Sequence, residues 1–131
     1  MVLVDTSVWI RALSNRAPFV EQLDHLLDSD EVAGHELIYG ELLIGDRGGR
    51  SKLLGDYQRF TQAASVPHQE VVKFVQGRHL HGRGAGWIDV HLVASALVSG
   101  FRFWTADPRL SAIAAEFGLD YKIPTSGPHL L

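Results

Sequence analysis

Residues 1–10 read MVLVDTSVWI. Val2, Leu3 and Val4 form a short unbroken apolar run, the kind that a strand buried on both faces requires, and the polar Asp5-Thr6-Ser7 follows at once. A helical stretch over about 7–13 comes next, so the segment reads as strand, turn, helix. Asp5 therefore stands at the carboxyl end of a strand. Open α/β sheets bind ligands along that edge, because the loops that leave the strands converge there.

The pattern repeats along the chain. Pro18 opens a second helix with an apolar stripe at Phe19, Leu23, Leu26 and Leu27. Val32 and Ala33 read as a second short strand, and from His35 the apolar residues Leu37, Ile38, Leu42 and Leu43 recur at helical spacing. Glu41 rides on this helix, beside its apolar side, where a lone carboxylate is costly. Gly48-Gly49 breaks the chain, and Leu53, Leu54, Tyr57 and Phe60 mark another helix. A third strand is expected over 63–66, followed by a helix from Pro67 that carries Val71, Val72, Phe74 and Val75. GRHLHGRGAG, residues 77–86, has four glycines in ten residues and reads as a mobile connection that would gate access. Residues 87–98 read as a buried helix with Asp89 in its first turn, and 101–104 as a central strand that ends in Thr105-Ala106-Asp107-Pro108. A helix from Pro108 to about Phe117, a stop at Gly118 and a short strand near 120–123 complete the α/β pattern. The tail from Pro124 is expected to be flexible.

At 131 residues the chain fits one domain, 1–131, with a real core. The absence of cysteine excludes disulfides, thiolate catalysis and cysteine-ligated metal centres, and agrees with a reducing cytoplasmic compartment. Asp5 interrupts the first apolar run and no basic stretch precedes it, so the start reads as a strand and not a signal peptide. No apolar run nears the roughly 18 residues of a membrane helix. The net charge is -3, yet residues 47–83 carry seven cations (Arg47, Arg50, Lys52, Arg59, Lys73, Arg78, Arg83) against Asp56 and Glu70, a local +5 that leaves the rest at -8. Arg47, Arg50, Lys52, Arg78 and Arg83 are thus candidates to contact phosphates, with ordinary solvated helix surface as the competing reading.

Four acids fall where such a fold would bring them together: Asp5, Glu41 in GELLIG, Asp89 in WIDVHL, and Asp107 after FRFWTA. Two carboxylates about 4 Å apart repel by up to roughly 4 kcal/mol at an intermediate effective dielectric, so a cluster raises its own pKa values or holds a cation. Oxygen ligands suit magnesium or manganese better than zinc, and the one close histidine pair, His79 and His81, lacks a spaced third ligand. Bound at a phosphodiester, such a metal supports hydrolysis. Asp5 is then the central ligand, Asp89 and Asp107 share the metal, and Glu41 completes the cluster or orients and deprotonates the attacking water. Each also has a plainer reading: Asp5 as a helix N-cap, Asp89 as first-turn dipole compensation, Thr105 as a strand-end hydroxyl. Glu36, five residues before Glu41, could share the helix position, but the more apolar surroundings of Glu41 favour it. GDRGGRSK at 45–52 lacks the frame and the preceding strand of a phosphate loop, which disfavours nucleotide-triphosphate chemistry.

MVLVDTSVWI, GELLIG, the aspartate that opens IDVHLVASAL, and FWTADPRL together resemble the PIN-domain ribonucleases, and more narrowly the VapC-type toxins of type II toxin–antitoxin systems. The resemblance covers essentially the whole chain. It implies a three-layer α/β/α sandwich with a central, mainly parallel sheet, and metal-dependent endonucleolytic cleavage of a structured RNA such as transfer RNA or ribosomal RNA. It carries the family's acidic positions onto Asp5, Glu41, Asp89 and Asp107, with Thr6, Ser7 and Thr105 in support. It also implies a cognate VapB-like antitoxin and a toxin homodimer. The competing expectations are a housekeeping PIN nuclease without an antitoxin, and a noncatalytic α/β module whose acidic pocket engages a basic peptide.

Overall fold

In the computed structural model, which describes residues 1–124, the apolar runs form a four-stranded parallel sheet. The strands are β1 (Val2–Val4), β2 (Val32–Gly34), β3 (Thr61–Gln62) and β4 (Arg102–Trp104), in the order β3-β2-β1-β4. The central β1 is wholly buried, as its composition requires, and pairs Val2 with Val32 on one side and Val2, Leu3 and Val4 with Arg102, Phe103 and Trp104 on the other. Among the described residues the sheet continues beyond β4 only as a single bridge between Phe103 and Asp120, so the strand expected over 120–123 is reduced to one residue. The third strand also lies earlier than expected. It is the exposed pair Thr61–Gln62, while Ala63, whose burial draws attention to 63–66, packs just after it.

Helices α1 (Thr6–Leu13) and α2 (Phe19–Asp28) connect β1 to β2, and α3 (Glu36–Ile44) and α4 (Ser51–Tyr57) connect β2 to β3. Helices α5 (His68–Gly77) and α6 (Trp87–Ser99) cross back over β2 and β1 to β4, and α7 (Pro108–Glu116) follows. Right-handed crossovers running in opposite directions place α1–α4 on one face and α5–α7 on the other. The contacts agree: α1 packs on α2 and α3, α3 on α4, α5 on α6, and Phe74 of α5 meets Phe117 just beyond α7 with ring centres 5.2 Å apart. This is the expected α/β/α sandwich. Because the chain goes to one side of β1 first and to the other side later, the switch point lies between β1 and β4.

The core runs through both layers, from Leu3, Val8, Ile38 and Leu42 to Leu92, Val93, Phe103 and Ile113. Gly100 ends α6 in the left-handed conformation (φ 72°), which spares a side chain the steric cost there. Leu43, expected on the apolar stripe of α3, faces outward with Ile44; Ile38 and Leu42 carry the burial. The glycine-rich connection 77–86 is also more structured than its composition predicts. Leu80 is buried in the core, its N–H bonds to the Val75 carbonyl, and Arg83 forms a forked ion pair with Glu116. Among the described residues no helix is long and apolar enough to cross a membrane.

His35 joins β2 to α3 and is 1% exposed. Its Nδ1 accepts from the Leu37 N–H at 3.0 Å and so caps the helix, which leaves the proton of the neutral ring on Nε2, facing Ser95 Oγ at 2.9 Å. Its main-chain N–H donates to the Tyr57 hydroxyl at 2.9 Å. Burial is the largest influence on the imidazole and lowers its pKa below the ordinary 6.5. A base with a lowered folded pKa binds fewer protons folded than unfolded, so its contribution is intact above pH 6.5 and is lost as pH falls toward the lowered value. His35→Asn keeps the cap and strands Ser95. It is expected to cost roughly 1–3 kcal/mol in denaturant unfolding near neutral pH and to reduce the loss of stability below pH 6.5; an unchanged acid profile would contradict this assignment.

Candidate active site at the carboxyl edge

The register of β1 on β4 builds the site. Val4 is level with Trp104, and the Asp5 N–H donates to the Trp104 carbonyl at 2.8 Å, so Asp5 and Thr105 leave neighbouring strands side by side. Asp5 occupies the N-cap position of α1, yet its side chain makes no cap hydrogen bond. Its Oδ2 instead accepts from Ser7 Oγ at 2.7 Å and from Thr105 Oγ1 at 2.9 Å. Each hydroxyl has one proton and gives it to Asp5, so each accepts elsewhere: Ser7 Oγ from the Ala106 N–H at 3.0 Å, Thr105 Oγ1 from the Asp107 N–H at 3.1 Å. The loop after β4 is thereby stitched to a carboxylate that is only 6% exposed.

The other acids arrive from separate helices. Glu41, on the middle of α3, accepts from Thr6 Oγ1 at 2.6 Å, a bond between residues 35 apart in sequence. Asp89, in the first turn of α6, accepts from the Gly86 N–H at 2.9 Å. Asp107 caps α7 by accepting from the Arg109 N–H at 2.9 Å. The plainer reading of Asp89 and Asp107 as helix-end groups is therefore realised. Both nonetheless line the same cleft as Asp5 and Glu41, a space of about 360 Å³ bounded by Asp5, Thr6, Ser7, Glu41, Asp89 and Asp107 together with Ile10, Arg11 and Leu110.

Four carboxylates and one guanidinium leave the cleft strongly negative. Burial is the largest influence on Asp5 and raises its pKa above the ordinary 3.8; its two hydroxyl donors pull the value down, and the charge of Asp89 pushes it up. The donor set is entirely oxygen, with no histidine or cysteine in the lining, which fits a hard divalent cation such as magnesium or manganese. Among the described residues no group of three or more acidic or histidine side chains stands close enough together to hold a metal ion as the side chains are placed. The carboxylates line a common space without converging on one point.

Glu36 is separate from this group. It accepts from Ser65 Oγ at 2.8 Å and lines other cavities, so Glu41 alone represents α3 in the cleft. Of the candidate phosphate contacts, Arg50 donates to the Leu42 carbonyl at 2.8 Å near the end of α3, Lys52 pairs with Asp56 at 3.0 Å, Arg78 lies over the Phe117 ring, Arg83 pairs with Glu116, and Arg47 is exposed in the turn after α3. None of them lines the cleft. Arg11, which does, is absent from the sequence candidates; its Nη1 donates to the Ser7 carbonyl at 2.9 Å. The signal was present, since Arg11 follows Ser7 by four residues on one helix face.

The PIN-domain family model matches residues 2–116. The chain belongs to the PIN-domain family. Within it the chain is of the VapC type: it is 44% identical over 120 residues to Ribonuclease VapC32 of Mycobacterium tuberculosis, in each of two strains, an alignment that covers 91% of this chain and 94% of the relative. The PIN cleft and the strand order are thus seen in a chain whose likeness to a VapC protein spans nearly its full length.

A carboxyl group whose pKa is raised on folding binds its proton more tightly folded than unfolded. Its contribution to stability is full below the ordinary 3.8 and falls as pH rises through the raised folded value. Asp5→Asn removes that loss and keeps an oxygen for both hydroxyls. The variant is expected to melt higher than the wild type near neutral pH in chelator, with a flatter profile on the acid side; a lower melting temperature would contradict it.

Proposed function

We propose that this PIN-domain protein is a magnesium- or manganese-dependent endoribonuclease that acts as a toxin by cutting structured RNA, transfer RNA or ribosomal RNA, and so inhibits translation. One observation carries the reading: four acids from four separate segments line a single cleft at the switch point of a parallel sheet. The name of the M. tuberculosis relative supports the same chemistry.

Asp5, Asp89 and Asp107 would hold the cation. When bound, it supplies a lowered pKa for an attacking water and neutralises charge on the phosphodiester. The chain's own residues do the rest. Ser7 and Thr105 fix the Asp5 carboxylate in one orientation, and Thr6, the next residue, fixes Glu41. Glu41 accepts the proton of the attacking water, a role that its place in the lining of the cleft supports, with the Thr6 hydroxyl orienting its carboxylate. The uncompensated charge of the cleft repels RNA phosphates in the absence of the cation, which couples substrate binding to metal.

We assign the protein a cognate VapB-like antitoxin and a homodimeric state as well. Apolar side chains left exposed on α1 and α3, namely Ile10, Leu13, Leu43 and Ile44, support a protein partner on this side of the molecule. The near full-length likeness to a VapC relative favours this over a housekeeping nuclease.

Asp5→Asn and Asp89→Asn are each expected to lower RNA cleavage by at least about a hundred-fold, with the fold retained, and chelation of magnesium and manganese is expected to do the same. Sequencing the RNA ends formed during controlled expression checks both toxicity and target; full, metal-dependent cleavage by both variants would defeat the assignment. The basic residues separate by their contacts. Arg47→Ala or Arg78→Ala should lower the salt slope of RNA binding by about one, whereas Arg50→Ala should cost about 1 kcal/mol of stability and leave that slope unchanged.

A further inference from the structure

A second cavity opens on the same edge of the sheet. It encloses about 180 Å³, and its lining includes His35, Glu36, Ser65, Trp87, Ile88 and His91. His35 leaves β2 as Asp5 leaves β1, so the two spaces sit above neighbouring strands. Their walls are shared. Helix α6 gives Trp87, Ile88 and His91 to this cavity and Asp89 to the acidic cleft, and α3 gives Glu36 and Leu37 here and Glu41 there.

The chemistry of the two spaces differs. Trp87 is 43% exposed, an unusual position for so large an apolar ring. Its indole is held by two histidines, His91 edge-on with ring centres 5.0 Å apart and His68 tilted at 5.2 Å. No arginine or lysine lines the cavity, so no permanent positive charge there favours a phosphate. The fixed charge is Glu36, a carboxylate that accepts from Ser65 Oγ and retains further acceptor capacity. A flat, neutral ring with N–H donors on its edge satisfies both features. Unpaired nucleobases have that form, and proteins read them by aromatic stacking and by hydrogen bonds to their exposed edges.

We propose that this cavity is a base pocket, which receives an unpaired nucleobase near the scissile phosphate, stacked on Trp87 with its N–H edge toward Glu36. The inference rests on the ribonuclease reading and deepens it. Adenine, cytosine and guanine bring an exocyclic amine to that edge. Uracil brings one N–H between two carbonyl oxygens that a carboxylate repels, so the pocket disfavours uracil.

The test uses the full chain with calcium in place of magnesium, a divalent cation that neutralises the cleft but activates water poorly, and single-stranded RNAs carrying a fluorescent adenine analogue that stacking quenches. Wild-type protein should quench it, and Trp87→Leu should lose most of the quenching and about ten-fold in affinity with an unchanged salt slope. Trp87→Phe should restore binding to within about three-fold, and Glu36→Gln should relax the discrimination against uracil. Exposure of both side chains makes unfolding a poor explanation, and melting temperatures check it. Equal binding and quenching by wild type and Trp87→Leu, in a protein that does cut RNA, would overturn the base pocket alone. So would a Trp87→Leu variant whose sole loss is neutralisation by its antitoxin, since that makes the cavity a protein contact. A wild-type protein that neither binds nor cuts RNA would overturn the ribonuclease reading and this one with it.

Discussion

Everything at the acidic cleft depends on the in-register parallel pairing of β1 with β4. Side chains alternate between faces along a strand, so a slip of one residue would turn Asp5 away from Thr105 and break a bond between positions 100 apart. The apolar runs enforce the register. Val4 and Trp104 are both buried, and shifting either strand would expose one of them. The geometry of the cleft is thus a by-product of hydrophobic burial, fixed one residue beyond where the apolar strands end. The hydroxyls of Ser7 and Thr105 then convert proximity into orientation, because each has its proton committed to Asp5 and its lone pair committed to a main-chain N–H.

A cleft with this charge has to fold against its own repulsion, and the helix ends explain how. Helices α1, α6 and α7 begin at or beside Asp5, Asp89 and Asp107, so three helix N-termini, each carrying about half a positive charge, point toward the same space. Asp89 and Asp107 also cap or brace their helices with real hydrogen bonds. Capping and metal ligation are usually treated as rival explanations of an aspartate after a strand. In this fold the two are compatible at one position: the N–H donors hold the carboxylate at the rim, and it still lines the cleft. Asp5 is the exception, since its side chain forgoes the cap and is stabilised by hydroxyls.

Much of this was legible in the chain. Buried parallel strands advertise themselves as short apolar runs that end on polar residues, and β1, β2 and β4 do so. β3 does not, because Thr61 and Gln62 are an exposed edge pair with no apolar signature, and the eye moves on to Ala63. Glycine content misled in the 77–86 connection, where one apolar residue, Leu80, outweighs four glycines by entering the core. Asp5 and Asp107 were recognisable from their positions after strands, Asp89 from its helix start, and Glu41 from its place beside an apolar helix side. Those apolar surroundings favoured Glu41 over Glu36 on α3, and the coordinates put Glu41, not Glu36, in the lining of the cleft. Arg11 lies outside the basic middle third that charge counting picks out, and the members of that third mostly pair with carboxylates, carbonyls or rings away from the cleft.

The placement of α3 and α6 gives the carboxyl edge its division of labour. An α-helix turns successive side chains by about 100°, so Ile88 and Asp89, or Leu37 and Glu41 a turn apart, can face different or adjoining spaces without any change in the backbone. One chamber is lined by oxygen anions and suits a cation with a phosphate; its neighbour is lined by an indole, imidazoles and one carboxylate and suits a neutral ring. A nucleic acid alternates these two kinds of group along its length. A wall that serves both chambers fixes the distance between them, so any movement of α6 that opened the charged cleft would also displace Trp87. Recognition of a base and placement of the neighbouring phosphate are then one mechanical event, set by the first two turns of a single helix.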